Sequence, residues 1–144
     1  MIQRIQSVWL LVSGLLALAT FRLAFWSTQL KDGSPLRKLY TQTSDSLLIY
    51  IAVLLIIVIS LGAIFLFKNR SLQLRLCLLG IVVSIGLLVL ECREVADQKT
   101  SANYADGSWQ PGITISVLII IALFLAMRGI RKDNKLVKSL DRLR

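Results

Sequence analysis

Long apolar stretches separated by short charged ones constrain this chain more than any other feature of its sequence. The clearest stretch runs from 47 to 67 without a formal charge and is closed by Lys68 and Arg70. An α-helix needs about 20 apolar residues to cross the hydrocarbon core of a bilayer. Hydrophobic residues make up 56% of the chain and charged residues only 17%, so a water-soluble domain could not bury the apolar surface. The sequence therefore predicts an integral membrane protein.

Four such stretches predict an all-α, four-helix transmembrane bundle. The helices are expected at about 5–26, 47–67, 72–92 and 109–127, which places a membrane domain at 1–127 and a tail at 128–144. The second and third helices are joined by so few residues that they must form an antiparallel hairpin. Ala17-Leu18-Ala19 is also typical of a signal-peptide cleavage site, but apolar character resumes at Phe21 and favours a retained helix.

The distribution of positive charge predicts the orientation of the helices. Most of the 17 Lys and Arg residues lie in the N-terminus, the hairpin turn and the tail, and few lie in the two longer loops. Because cytoplasmic segments collect Lys and Arg, both termini and the hairpin turn are expected in the cytoplasm, and the two longer loops on the external side. The net charge of +9 has the same source, so nucleic acid is disfavoured as a partner.

The tail is predicted to be a basic amphipathic helix, with Leu136, Val137, Leu140 and Leu143 on one face. Such a helix suits the anionic lipids of the inner leaflet, which is the favoured interpretation. A protein partner and an RNA phosphate backbone stay open as alternatives. The candidate residues for contact with a partner or lipid are Lys68, Arg70, Arg75, Arg131, Lys132, Lys135, Lys138 and Arg142.

The chain offers little for catalysis or for holding a cofactor. It has no histidine, and Cys77 and Cys92 are too far apart along one helix to form a disulfide. Glu91, Arg93 and Glu94 are interpreted as a solvated outer end of the third helix, without a nucleophile or a metal beside them. No enzymatic activity, cofactor or metal site is therefore expected.

Arg22 is the one charge well inside an apolar stretch, and an ionisable residue in a span is a functional candidate by default. Its expected depth is close to the outer interface, which favours snorkelling to water or an ion pair with Glu91 or Glu94. Small residues at helical spacing, Ser13 with Ala17 and Gly80 with Ser84, favour close packing of helices.

Three stretches together resemble a known family. They are the opening Met1-Ile2-Gln3-Arg4-Ile5-Gln6, the hairpin from Lys68 to Cys77, and the end from Arg128 to Arg144. They resemble the domain-of-unknown-function family 4293, small four-helix inner-membrane proteins of the Bacteroidetes group. The resemblance implies no activity, cofactor or catalytic residue. Its motifs lie almost entirely on the predicted cytoplasmic side, so function is expected at that face.

The leading functional hypothesis is an accessory or scaffolding membrane subunit that binds a protein through its basic hairpin and tail. The second is a small oligomeric transporter or channel. This hypothesis is weakened because no Asp or Glu lies in the middle of a predicted span. The candidate polar lining of such a transporter is Ser13, Ser60, Ser84, Thr114 and Ser116. An intramembrane enzyme is third, because catalysis would have to depend on loop residues at the outer interface.

Overall fold

The computed structural model of the protein describes residues 3–28, 37–41, 47–66, 69–100 and 107–141, with side chains over 6–28, 38–41, 47–66, 69–100 and 107–134. Within these ranges the chain is mostly helical, which confirms the predicted all-α, four-helix fold. The helices are α1 (Gln3–Ala19), α2 (Leu47–Phe65), α3 (Arg70–Thr100) and α4 (Pro111–Asp141).

The four helices pack in a ring. Helix α1 lies against α4 and α2, and α3 lies against α2 and α4. Small residues allow the close approaches: a Cβ added to Gly80 would meet Leu123 Cδ1 at 3.2 Å and Ile59 Cγ2 at 3.3 Å. Gly80 therefore brings α3 against both of its neighbours, as expected for packing in lipid, where van der Waals contact replaces the hydrophobic effect between helices.

The bundle has a mostly apolar core that includes several hydroxyl groups, and its outer surface is largely apolar as well. Ser13, Ser60 and Ser84 are completely buried, whereas large apolar side chains are exposed on every helix. Examples are Leu15, Val58, Val82, Ile85, Ile121 and Phe124. An apolar belt of this extent is far beyond what soluble monomers expose. Helices α2, α3 and the 111–134 part of α4 are long and apolar enough to cross a membrane, and α1 is a shorter apolar helix. These features are those of a membrane protein.

Helix α1 ends at Ala19, seven residues before the predicted boundary. The next turn is tight, because Phe21 N donates to Leu18 O at 3.2 Å and Arg22 N donates to Ala19 O at 3.0 Å. Thr20 Oγ1 donates to Ala17 O at 2.7 Å and occupies a carbonyl of the last turn. The apolar residues after this turn continue as an extended chain, so the apolar stretch is longer than the helix.

The two long loops contain a small antiparallel sheet that the sequence did not predict. Its strands are β1 (Trp26–Thr28), β2 (Arg37–Leu39) and β3 (Ser108–Trp109), in the order β2-β1-β3. Trp26 pairs with Leu39 on one side and with Trp109 on the other. The sheet lies where α1 ends and α4 begins, which we call the sheet end of the bundle. The opposite end, with the α2–α3 connection, is the turn end.

Helix α3 continues beyond its apolar part and supports the sheet. It ends at Thr100, eight residues later than predicted, and Val95 on this extension is buried. The amine of Lys99 lies 4.9 Å from the ring centroid of Trp26 and 5.8 Å from that of Trp109, a cation–π arrangement. We call the sheet and the last turns of α3 the cap.

Candidate functional site

The turn end brings together the three stretches that carry the family resemblance. Gln6 of the opening stretch is buried, and a Cβ added to Gly129 of α4 would lie 3.0 Å from its Cγ. Arg70 of the hairpin pairs with Asp133 of α4, with 3.6 Å between Nη2 and Oδ2, and its Nη1 donates to the Asp133 carbonyl at 3.4 Å. The N-terminus, the hairpin and the start of the tail therefore form one unit.

A buried glutamine fixes the hairpin itself. Gln73 lies in the first turn of α3, and its side-chain Nε2 donates to Ala63 O at 3.1 Å. The last carbonyls of a helix lack partners within it, so this bond satisfies an acceptor near the end of α2. The Gln73 backbone N–H donates to Asn69 O at 3.0 Å, which starts α3 directly after the turn. The hairpin is thus held by side-chain and backbone contacts together.

A shallow groove between α3 and α4 holds two of the predicted cationic residues. Its volume is about 210 Å³, and it is lined by Leu74, Arg75, Leu78 and Arg131. Both arginines are exposed, and Leu78 also exposes half of its surface. The groove therefore combines positive charge with apolar wall in one place.

The other predicted contact residues have different outcomes. Arg70 is occupied by its ion pair with Asp133, and Lys132 is exposed on α4. Lys68 lies outside the described residues, as do the side chains of Lys135, Lys138 and Arg142. Helix α4 runs without a break to Asp141, so the tail up to that residue is helical. The faces that its side chains take stay a prediction.

Glu91 is the site residue that sequence reasoning placed wrongly. It was expected at a solvated helix end, but its exposed fraction is 1%. Its Oε1 accepts a hydrogen bond of 2.8 Å from Ser116 Oγ of α4, and its Oε2 has no partner among the described residues. Arg93 points outward and is exposed. Since a buried carboxyl without full hydrogen bonding costs free energy, this residue is a candidate for function.

The sequence contained a signal for the burial of Glu91. The buried face of α3 is formed by Gln73, Cys77, Gly80, Ser84, Leu87, Glu91 and Val95. These positions are three or four residues apart, which is the spacing of one helix face. Continuing that face past the last apolar residue places Glu91 inside the bundle, whereas grouping it with its charged neighbours places it outside.

The hydroxyls predicted to line a transport path are used mainly for packing. Ser13 Oγ and Ser60 Oγ lie 3.0 Å apart and join α1 to α2. Ser84 Oγ donates to Gly80 O at 2.7 Å, and Thr114 is exposed. Their hydrogen bonds stabilise contacts within and between helices.

Arg22 lies apart from these sites. It is exposed and follows the end of α1, so it does not lie within a helical span. Cys77 is buried and Cys92 exposed, and both are free thiols. In the described part of the chain, no three His, Cys, Asp or Glu side chains are grouped so that they could hold a metal ion.

Four helices in a ring, three of them long and apolar enough to cross a membrane, form a small helical bundle of the kind found in membrane proteins. The chain belongs to the DUF4293 family, a domain of unknown function, whose family model matches residues 2–143. This match confirms the resemblance seen in the three stretches. No curated protein matches the chain, and no solved structure does.

Proposed function

We propose that the protein is a multi-pass protein of a bacterial inner membrane, with both termini in the cytoplasm, and that it acts as an accessory or scaffolding subunit. The positive charges of the sequence collect at the turn end, which the positive-inside rule assigns to the cytoplasm. In this orientation the cap lies on the external side.

Helix α1 completes the proposed four spans although it is shorter than the others. Its 17 residues extend about 25 Å, somewhat less than the hydrocarbon core. The tight turn from Thr20 to Leu23 adds further hydrogen-bonded backbone at its outer end. Since the bilayer adjusts to a short span at modest cost, α1 can cross with its neighbours.

The observation that carries the accessory role is the joining of hairpin and tail at the turn end. Arg70 and Asp133 connect the start of α3 to α4, and Gln6 packs beside Gly129. These contacts fix the direction in which the last turns of α4 leave the bundle. A basic helix whose backbone continues from the bundle is a suitable docking element for an acidic surface of a partner protein, because the helix is already formed before binding.

Purification of the tagged protein in mild detergent, after crosslinking in cells, tests this role. The shortened variant should end after Asn134, because Ile130 is buried and Asp133 pairs with Arg70, so both belong to the folded bundle. We expect a stoichiometric partner with the intact chain and its loss from the shortened one.

A second variant tests whether the positive charges of the tail, rather than its length, hold the partner. Replacing Lys135, Lys138 and Arg142 by Gln in the full chain should also release the partner. The matched control replaces the exposed Arg22 and Arg93 at the sheet end and should retain it. Equal recovery of the partner from the intact and both tail variants would refute the proposed role.

A small oligomeric transporter is the second candidate, and Glu91 is the observation that favours it. The sequence has no acidic residue in the middle of a span, and the structure buries this carboxyl between α3 and α4 near the start of α4. Buried carboxyls in membrane proteins commonly take part in ion or proton pathways.

Flux of protons into vesicles that contain the purified protein and a trapped pH-sensitive dye tests transport. Flux that Glu91→Gln abolishes, and that the packing variant Ser60→Ala retains, would support this candidate. Identical dye signals from protein-containing and empty vesicles would refute proton transport by the chain.

A further inference from the structure

We propose that the groove between α3 and α4 at the turn end binds the headgroup of an anionic glycerophospholipid. The phosphate would lie between Arg75 and Arg131, and an acyl chain would lie along Leu78. This site is separate from the proposed partner contact on the last turns of α4, because both arginines are retained in the variant that ends after Asn134.

The composition of the groove fits a lipid better than a soluble ion. Arg75 and Arg131 supply two guanidinium groups, which bind phosphate oxygens through paired N–H donors. Leu74 and Leu78 supply an apolar wall directly beside them. A free phosphate has no apolar part that could contact these leucines, whereas a phospholipid presents phosphate and hydrocarbon together.

The position of the groove along the helices also fits a lipid headgroup. Gly80 of α3 lies level with Leu123 of α4 and with Ile59 of α2, because an added Cβ would touch both side chains. Arg75 lies about 7 Å from Gly80 toward the turn end, and Arg131 lies about 12 Å from Leu123 in the same direction. Helix α2 ends about 9 Å beyond Ile59, so the two arginines flank the level at which its apolar span stops.

The helix surface below the groove continues as apolar wall. Leu78, Val82, Ile85 and Val89 are exposed along α3, and they are spaced three or four residues apart, so they form one stripe. An acyl chain that starts at the groove therefore meets hydrocarbon along its length. Arginine at the inner end of such a stripe is placed where the headgroups of an anionic leaflet lie.

Fluorescence quenching tests this site with the full-length protein in phosphatidylcholine vesicles that contain a minority of phosphatidylglycerol. A Leu78→Trp substitution places an indole at the groove, and the same protein without it corrects for the native tryptophans. Quenching by brominated phosphatidylglycerol is compared with quenching by brominated phosphatidylcholine. We expect a clear preference for the anionic lipid.

Three Gln substitutions decide whether the arginines produce that preference. Arg75→Gln and Arg131→Gln should each weaken it about tenfold, because each removes charge-assisted hydrogen bonds to the phosphate that contribute about 1.5 kcal/mol. Lys132→Gln makes the same change of charge on an exposed neighbour outside the groove and should change the preference much less. Circular dichroism checks that each variant is folded, and Arg131→Lys provides a variant that keeps the charge.

Three outcomes would overturn the proposal. One is equal quenching by the two lipids, and another is an equal loss in all three Gln variants, which would indicate general surface charge. The third is displacement of the lipid by excess inorganic phosphate, which would indicate a phosphate site. The vesicles contain no other protein, so a negative result here leaves the proposed partner on the tail untouched.

Discussion

A methyl group added at Gly112 should loosen the attachment of α4 to the cap. The Cβ of Gly112→Ala would lie 2.4 Å from Ala24 O and 2.8 Å from Phe25 N, far inside van der Waals contact with backbone atoms. The Gly112 N–H also donates to Ala24 O at 2.8 Å. The backbone of either α4 or the 24–25 segment must therefore move by about 1 Å to reach ordinary contact.

The cost has two parts. Overpacking of a buried contact costs about 1–3 kcal/mol, and a buried carbonyl that loses its donor costs about 1–3 kcal/mol. We expect Gly112→Ala to lower the free energy of unfolding by about 2–5 kcal/mol, which corresponds to a fall in Tm of about 5–15 °C for a chain of this size.

Reaction of a thiol-sensitive dye during heating in detergent measures this change. Cys77 is completely buried, so in a Cys92→Ser background the dye reports opening of the bundle. Gly86→Ala is the matched control, because an added Cβ there meets nothing within 4 Å and alanine gains up to about 1 kcal/mol of helix propensity. A Tm for Gly112→Ala within about 2 °C of the Tm for Gly86→Ala would refute the steric reasoning.

Substitutions at three other places have expected outcomes in the same assay. Ser60→Ala removes the 3.0 Å hydrogen bond to Ser13 and should cost about 0.6 kcal/mol, as such bonds do in helical membrane proteins; a loss above about 2 kcal/mol would contradict this. Arg70→Gln and Asp133→Asn, combined in a double-mutant cycle, should show a coupling of at most about 1 kcal/mol that decreases with salt, because the pair is partly exposed. Glu91→Leu combined with Ser116→Ala should be at least as stable as the native chain, since the pair removes an unpartnered buried oxygen together with the hydroxyl that donates to the carboxyl, whereas Glu91→Ala combined with Ser116→Ala should lose about 1–3 kcal/mol through the cavity it leaves; a greater loss for the leucine variant would show that the carboxyl is needed for folding.

The sequence predicted the helical elements well because their signals are local. Helix α2 begins at Leu47 as predicted, and its apolar stretch is bounded by charged residues. The hairpin between α2 and α3 followed from the shortness of the connection. The family was also recognisable from short stretches at the turn end, and the family match confirms it.

The cap could not be predicted because its signals are tertiary. Phe25 and Trp26 are apolar, and from the sequence alone they extend the first helix. In the structure both are buried and belong to the same hydrophobic core as the helix side chains, so their apolar character serves that core from a segment that is not helical. Strands of two or three residues form only through partners distant in the chain, such as Trp109 for Trp26, and no local pattern specifies that pairing.

The burial of Glu91 was missed for a different reason. Composition groups it with Arg93 and Glu94, whereas helix geometry separates them by face. Ser116 lies 25 residues further along the chain, so the hydroxyl that accompanies the carboxyl is evident only once α3 and α4 are packed together. Glu91 therefore became a candidate functional residue only once the structure was known.

The continuity of α4 makes it a single rod of about 46 Å from Pro111 to Asp141. One end touches the backbone of the cap through Gly112, and the other carries the basic tail. The helix is unbroken between these two ends, so the tail and the segment beside the cap belong to one secondary-structure element. In the proposed orientation, α4 is therefore a continuous helical connection between the two faces of the membrane.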